Sequence, residues 1–198
     1  MNYIIGLGNP DAEYEGSRHN VGRDIVKKFA KKFGFDDFEF NKKINAQVSE
    51  GKIGKEKVML VLPDTYMNKS GSALKTLITS AKKAESMTVV YDDLDLGLGT
   101  LKISFNKSDG GHRGLASIIK AVKTEKFPRL RVGISTEMAS GKIKKPQGED
   151  AVVKHVLGKF SPKEQDALKK VFTRAVNGLE LIVTEGYLIA SNPVNGGK

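Results

Sequence analysis

Asn2-Tyr3-Ile4-Ile5-Gly6-Leu7-Gly8-Asn9-Pro10-Asp11 reads as a short buried strand running into a polar loop, and the residues after that loop decide the fold. Gly6-Leu7-Gly8 mimics the start of a dinucleotide fingerprint, whose third glycine would stand at Asp11 with a helix opening at once. Pro10 intervenes instead, a carboxylate at Asp11 would repel a pyrophosphate, and the first helix is delayed to Asn20. The loop is therefore no nucleotide cradle. From Asn20 to about Phe33, Val21, Ile25, Val26, Phe29 and Phe33 recur near the helical period. Asn20 is the expected cap and Gly34 the stop, with Lys27, Lys28, Lys31 and Lys32 mostly on the outer face.

Outward from there, strands and helices alternate. Residues 44–53 and 57–62 read as strands around a turn at Gly54, and a helix is expected over 70–81 after the loop 63–68. Residues 87–91 form an apolar strand that ends on the acidic run Asp92-Asp93-Leu94-Asp95. Residues 101–105 alternate like a strand, Gly110-Gly111 leads into a helix over 115–122, and 130–134 is another strand. An exposed loop is expected over 136–150. Ser161-Pro162 with Glu164 marks the start of a helix that continues to Glu185. The pattern predicts an α/β fold: a single domain over 1–191, with a twisted mixed, mostly parallel sheet flanked by helices, and a disordered tail over 192–198.

The 198 residues, 39% hydrophobic and 28% charged, suffice for a sizeable core and argue against a disordered or fibrous chain. The absence of cysteine removes disulfides, thiolate nucleophiles and cysteine-ligated metal sites together. No run approaches the roughly 18 apolar residues of a membrane span. The opening residues show no secretory pattern, so a soluble cytoplasmic protein is expected. Lys+Arg 33 against Asp+Glu 23 leaves a net charge of +10. That surplus favours an anionic partner, most commonly a nucleic acid, and its lysine-rich character suits phosphate steering.

Open α/β sheets place their sites beyond the carboxyl ends of strands. Three polar clusters fall there, after Leu7, after Leu62 and after Tyr91. His19, one of three histidines with His112 and His155, precedes a helix start where it can point into a cleft or merely satisfy local backbone groups. A carboxylate from the acidic run would fix its tautomer and stabilise the imidazolium, giving a base for water. The serines lack a nucleophile-elbow context, so activated water is preferred to a serine nucleophile. Asn9 and Asn68 carry amides that both donate and accept, as holding an ester or amide requires; turn or cap roles are the alternative. The acidic run alone suggests a divalent-cation site, without converging partners. His155, within the apolar segment 152–157, reads as structural.

At these residues the chain resembles the bacterial-type peptidyl-tRNA hydrolase family. The matching segments are Ile5-Gly6-Leu7-Gly8-Asn9-Pro10, Arg18-His19-Asn20-Val21-Gly22, residues 63–71, Tyr91-Asp92-Asp93-Leu94-Asp95-Leu96, Gly110-Gly111-His112-Arg113-Gly114-Leu115, residues 129–134 and residues 156–160, in family order and spacing. The resemblance implies a single α/β domain that hydrolyses the ester joining a peptide to the terminal ribose of tRNA. It also implies a monomer with no metal or organic cofactor. It casts His19 as the general base for water, Asp92 as the carboxylate that orients it, and Asn9 and Asn68 as holding the peptide and ester end. Tyr14, Met67 and Arg113 would be further substrate contacts. The loop 110–114 would flank the cleft as a mobile gate, and Arg131 with Lys102 would meet tRNA phosphates near the 5′ end. A noncatalytic RNA-binding protein on the same fold is the alternative; a binder has no need of the His19–Asp92 pair.

Four positions depart from the family pattern. Arg113 stands where asparagine is usual, and arginine donates but cannot accept. Ser104 replaces a common basic residue of the phosphate clamp. Asp11 replaces a glycine at an expected left-handed turn position, which aspartate tolerates. Gly97 replaces a proline and should loosen its loop.

Overall fold

The computed structural model describes residues 1–138 and 140–197. Ala139, inside the expected loop 136–150, and Lys198, at the end of the expected tail, lie outside the described residues. The opening run forms β1 (Asn2–Gly6), and two 3-10 turns, Ala12–Tyr14 and Arg18–Asn20, lead into α1 (Val21–Phe33). Gly34 ends α1 in the left-handed conformation, φ 64°. Next come β2 (Glu39–Asn41), β3 (Ala46–Ile53), β4 (Glu56–Pro63), a 3-10 run Met67–Leu74 and α2 (Ala81–Glu85). The chain then makes β5 (Met87–Gly97), β6 (Leu101–Phe105), α3 (Arg113–Val122), β7 (Pro128–Glu137), β8 (Ile143–Lys144), α4 (Glu149–Leu157), α5 (Pro162–Glu185) and α6 (Tyr187–Gly196).

The sheet runs β2-β3-β4-β1-β5-β7-β6, with β8 on β7. Its inner strands β4, β1, β5 and β7 are parallel, and β2, β3, β6 and β8 add antiparallel margins, so the expected mixed α/β sheet forms. β1 is apolar on both faces because both are covered. Ile4 packs towards Phe29, Leu179 and Ala190, while Tyr3, Ile5 and Leu7 pack towards Leu74, Leu115 and Ile118. The chain joins β4 on one side of β1 and then β5 on the other, so the carboxyl ends of these three strands meet at a topological switch point. At Gly22 an added Cβ would stand 2.2 Å from the Val90 carbonyl oxygen, so the start of α1 lies directly on β5 and brings the turn before it beside Asp92.

Several local expectations change. The helix expected over 70–81 is a 3-10 run and a separate short α2. Ser70 and Ser72 hydroxyls each donate to the carbonyl three residues back at 2.8 Å, which tightens the turns. The acidic run is strand rather than loop: β5 extends to Gly97, and the Leu94 carbonyl accepts from Ser135 Oγ at 2.8 Å. Gly97 therefore pairs with Ser135 on β7 instead of loosening a loop. Asp11 is extended at φ −72°, so no left-handed position has to be tolerated. The expected loop 136–150 carries β8 and opens α4, with Lys145 paired to Asp95.

The start of α5 is as expected, with Pro162 first and Glu164 accepting from Ser161 N at 2.7 Å. The tail expected to be disordered from 192 is instead helical to Gly196. Asn195 accepts from Ile103 N at 2.6 Å and donates to Ile103 O at 3.2 Å along β6, and Tyr187 stacks on Phe105 at 4.6 Å. Among the described residues no helix is long and apolar enough to cross a membrane.

Candidate active site

The turn that carries His19 is fixed on both flanks. Arg18 Nη2 donates to both Glu164 oxygens at 2.9 Å and its guanidinium lies 4.7 Å from the Phe160 ring, so the carboxylate at the start of α5 also anchors this turn. Asn20, expected as a helix cap, makes no side-chain cap bond. Its amide turns to the loop after β1, accepting from Asn9 N at 2.8 Å and donating to Asn9 O at 2.9 Å. Asn9 Oδ1 in turn accepts from Met67 N at 2.9 Å, which ties β1 to the segment after β4. That bond orients the amide and leaves the two Nδ2 protons as donors. Asn20→Ala would leave both backbone groups of Asn9 buried without partners. A loss of about 2–4 kcal/mol in unfolding free energy is expected, read from the urea midpoint at constant slope; a loss under about 0.5 kcal/mol would mean that water replaces the amide.

Asp92 lies between two imidazoles. Both of its oxygens are 2.9 Å from His19 Nδ1, and Oδ1 is 3.0 Å from His112 Nε2. The partners assign the protons. His112 Nδ1 accepts from Leu115 N at 3.1 Å, so the proton of the neutral His112 ring sits on Nε2 and points at Asp92. A carboxylate cannot donate, so His19 Nδ1 is also a donor; in the neutral ring Nε2 then carries the lone pair, with no hydrogen-bond partner among the described residues. The Asp92 side chain is only 2% exposed. Burial pushes its carboxyl up, but the His19 and His112 rings outweigh burial and hold it well below the usual carboxylate range. For His19, burial pushes the ring down; the charge and hydrogen bond of Asp92 prevail over it and over the opposing Arg113 charge, leaving the pKa raised above its ordinary 6.5.

The sequence reading places His112 only in the gate loop, yet it shares the carboxylate with His19. The two rings are 5.1 Å apart, and Tyr91, whose hydroxyl burial pushes up to about 12, meets His112 edge-on at 4.9 Å. The signal that could have found it is a histidine, one of only three in the chain, inside Gly110-Gly111-His112-Arg113-Gly114. His19, Asp92 and His112 also bring one donor atom each within 4.8 Å of one another, a spacing that a divalent cation could bridge. His19 Nδ1 and His112 Nε2 are already hydrogen-bonded to Asp92, so a cation held through these two nitrogens would have to displace both ring protons.

A cleft of about 480 Å³ opens over this group. It brings together His19, Asp92, Asn9, Met67, Asn68 and Arg113, with Tyr66 and the α4 residues Val152, Val153 and Leu157 as an apolar wall. Tyr14 is not among its lining residues and sits half-buried on the turn Ala12–Tyr14. Lys102 and Arg131, cross-strand partners on β6 and β7, also lie outside the lining. Arg131 Nε donates at 2.6 Å to Asp93, which does line the cleft, so one side chain separates the two regions. Ser104 lies opposite Arg129, with its Oγ buried and no hydrogen-bond partner among the described residues. His155 Nε2 lies 3.1 Å from Ile134 O, the structural role expected of it. A neutral imidazole with a free lone pair, backed by a buried carboxylate and flanked by amides, is equipped to deprotonate water beside a carbonyl.

A family model described as peptidyl-tRNA hydrolase matches residues 3–198. The chain is 40% identical to a peptidyl-tRNA hydrolase of Herpetosiphon aurantiacus over 200 residues, covering 99% of this chain and 91% of that protein. A peptidyl-tRNA hydrolase of Aquifex aeolicus is 42% identical over 181 residues, covering 89% of this chain and 86% of that protein. The crystal structure of peptidyl-tRNA hydrolase from Acinetobacter baumannii aligns with a TM-score of 0.87 at 31% identity, covering 99% of this chain and 95% of that one.

Proposed function

Because the chain belongs to the peptidyl-tRNA hydrolase family, we propose that its reaction is attack on the ester carbonyl by a water that His19 deprotonates. The activity itself comes with the family: the chain hydrolyses the ester bond of peptidyl-tRNA, binds tRNA and acts in translation, freeing tRNA for reuse. The observation that carries the residue assignment is the direction of the hydrogen bonds at Asp92, which leaves the lone pair of His19 Nε2 unused.

His19 Nε2 takes a proton as the water oxygen bonds to the carbonyl carbon, and the carbonyl electron pair moves onto its oxygen. Asn68, exposed in the cleft lining, donates to that oxygen, while Asn9 Nδ2 holds the adjoining peptide. The tetrahedral species then collapses, the bond from carbon to the ribose oxygen breaks, and the imidazolium gives its proton to that oxygen. Asp92 stays ionised throughout, fixing the ring and stabilising its charge. His112 is a positioning residue, since its second bond to Asp92 keeps the carboxylate in place. Met67 and the apolar wall on α4 receive the aminoacyl side chain. Lys102 and Arg131 meet phosphates further along the tRNA, consistent with a net charge of +10.

The cleft is complete within one chain, which supports action as a monomer with a single catalytic domain. Its substrate is made and used in the cytoplasm, the location we assign. The noncatalytic RNA-binding alternative is not favoured. In oxygen-18 water the label is expected in the carboxylate of the released peptide, read by mass spectrometry. Label in the ribose hydroxyl would put the attack on the sugar carbon and remove the role given to His19.

A further inference from the structure

Arg113 comes directly after His112 in the chain, and the two side chains part. His112 turns inward to Asp92, while Arg113 spans the cleft mouth to Glu149, the first residue of α4. The Arg113 and Glu149 side chains are 61% and 72% exposed, and an ion pair so exposed contributes little stability, so holding the fold together does not account for it. Arg113 is nevertheless close enough to His19 to oppose its protonation. The cleft lining is rich in acids, but Asp93 and Asp95 are already paired with Arg131 and Lys145. Asp92 is held by the two imidazoles, Asp109 accepts from Gly111 N at 2.8 Å, and Glu149 is the acid that pairs with Arg113.

The substrate brings its own anion to this rim. The ester sits on the terminal ribose of the tRNA, and the 5′ side of the same nucleotide carries a phosphodiester. With the ester carbonyl over His19, that phosphate lies one sugar away. A guanidinium matches a phosphate with two parallel N–H bonds and a full charge, which an asparagine at this position cannot do.

We propose that Arg113 is a specificity-determining residue that grips the phosphodiester on the 5′ side of the terminal nucleoside, with Glu149 occupying the guanidinium in the free enzyme and giving it up to the phosphate. The exchange swaps one anion for another and makes or breaks no covalent bond. It rests on the ester lying at His19.

The test compares two small esters: adenosine carrying a 3′-O-(N-acetyl-aminoacyl) group, and the same compound with a 5′-methyl phosphodiester. The readout is the ratio of kcat/KM with the phosphate to kcat/KM without it. Arg113→Ala and Arg113→Asn are each expected to lower that ratio by about 10–100-fold, chiefly through KM, with Arg113→Lys between them and wild type. Glu149→Gln, which removes the competitor, is expected to raise the ratio by about 2–5-fold. An unchanged ratio in Arg113→Ala, an equal loss on both esters, or a fall in Glu149→Gln would overturn the proposal. His19→Ala, assayed alongside, separates the two possible failures. If it turns over both esters, the placing of the ester is wrong and the proposal falls with it. If it turns over neither while Arg113→Ala leaves the ratio flat, the phosphate contact alone is overturned.

Discussion

His19→Ala is expected to lower kcat on N-acetyl-aminoacyl-tRNA by about a thousandfold, within the range that a positioned general base supplies. The affinity for product tRNA should change by less than about twofold, because a neutral imidazole makes little contact with phosphate. The substitution is also mild for the fold. Asp92 keeps the His112 donor, and the neighbours Arg18 and Asn20 keep the bonds that fix the turn. Single-turnover release of the labelled acyl group, with tRNA binding measured on the same preparation, separates chemistry from affinity. Turnover at the wild-type rate would remove His19 from the reaction.

Asp92→Asn is the second large effect, a loss of about 10²–10⁴-fold in kcat with little change in shape. Two N–H groups converge on this position, and a carboxylate accepts both. An amide has an NH2 in place of one oxygen, and His19 Nδ1 lies 2.9 Å from both oxygen positions, so in either orientation its N–H faces that NH2. Relief by the other tautomer moves the His19 proton to Nε2, and the lone pair needed by water is lost. The pH profile gives the sign. The base works when neutral, so kcat/KM rises with pH through the His19 pKa, which the Asp92 charge raises above 6.5. Without that charge, burial and the Arg113 charge both push the ring down, and the acid limb of the residual activity moves to lower pH. A limb that stays in place would assign the raised pKa to another group.

What the sequence disclosed, and what it hid, divides along the range of the interactions. α1 is legible because its apolar period and the Gly34 stop agree, and the start of α5 because Ser161, Pro162 and Glu164 form a signal within a few residues. α6 is not, since Asn192, Pro193 and Asn195 are poor helix formers; the helix is held by the distant bonds of Asn195 to Ile103 and by Val194 packing within the core. The later part of the 3-10 run, 70–74, reads as the start of an α-helix because the deciding contact is with α3, where a Cβ at Gly71 would stand 2.0 Å from Ser117 O. The same holds at the site. Asn9 and Asn68 lie just beyond β1 and β4, where the architecture already points, and Asp92 is legible as the first acid after the apolar run 87–91, although β5 continues through it to Gly97. Asn20 carries a local capping signal that loses to a bond eleven residues back along the chain. The part of His112 depends on the approach of the loop before α3 to β5, which no local pattern encodes.

The Asn195 amide on β6 has a consequence beyond holding α6. A sheet margin with free N–H and C=O groups is a template on which another extended chain can add, and such addition begins fibrillar aggregation. At Ile103 the outward N–H and C=O are already taken by a carboxamide that imitates a neighbouring strand. A margin plugged from within the chain leaves no seam at this position for another extended segment to zip onto.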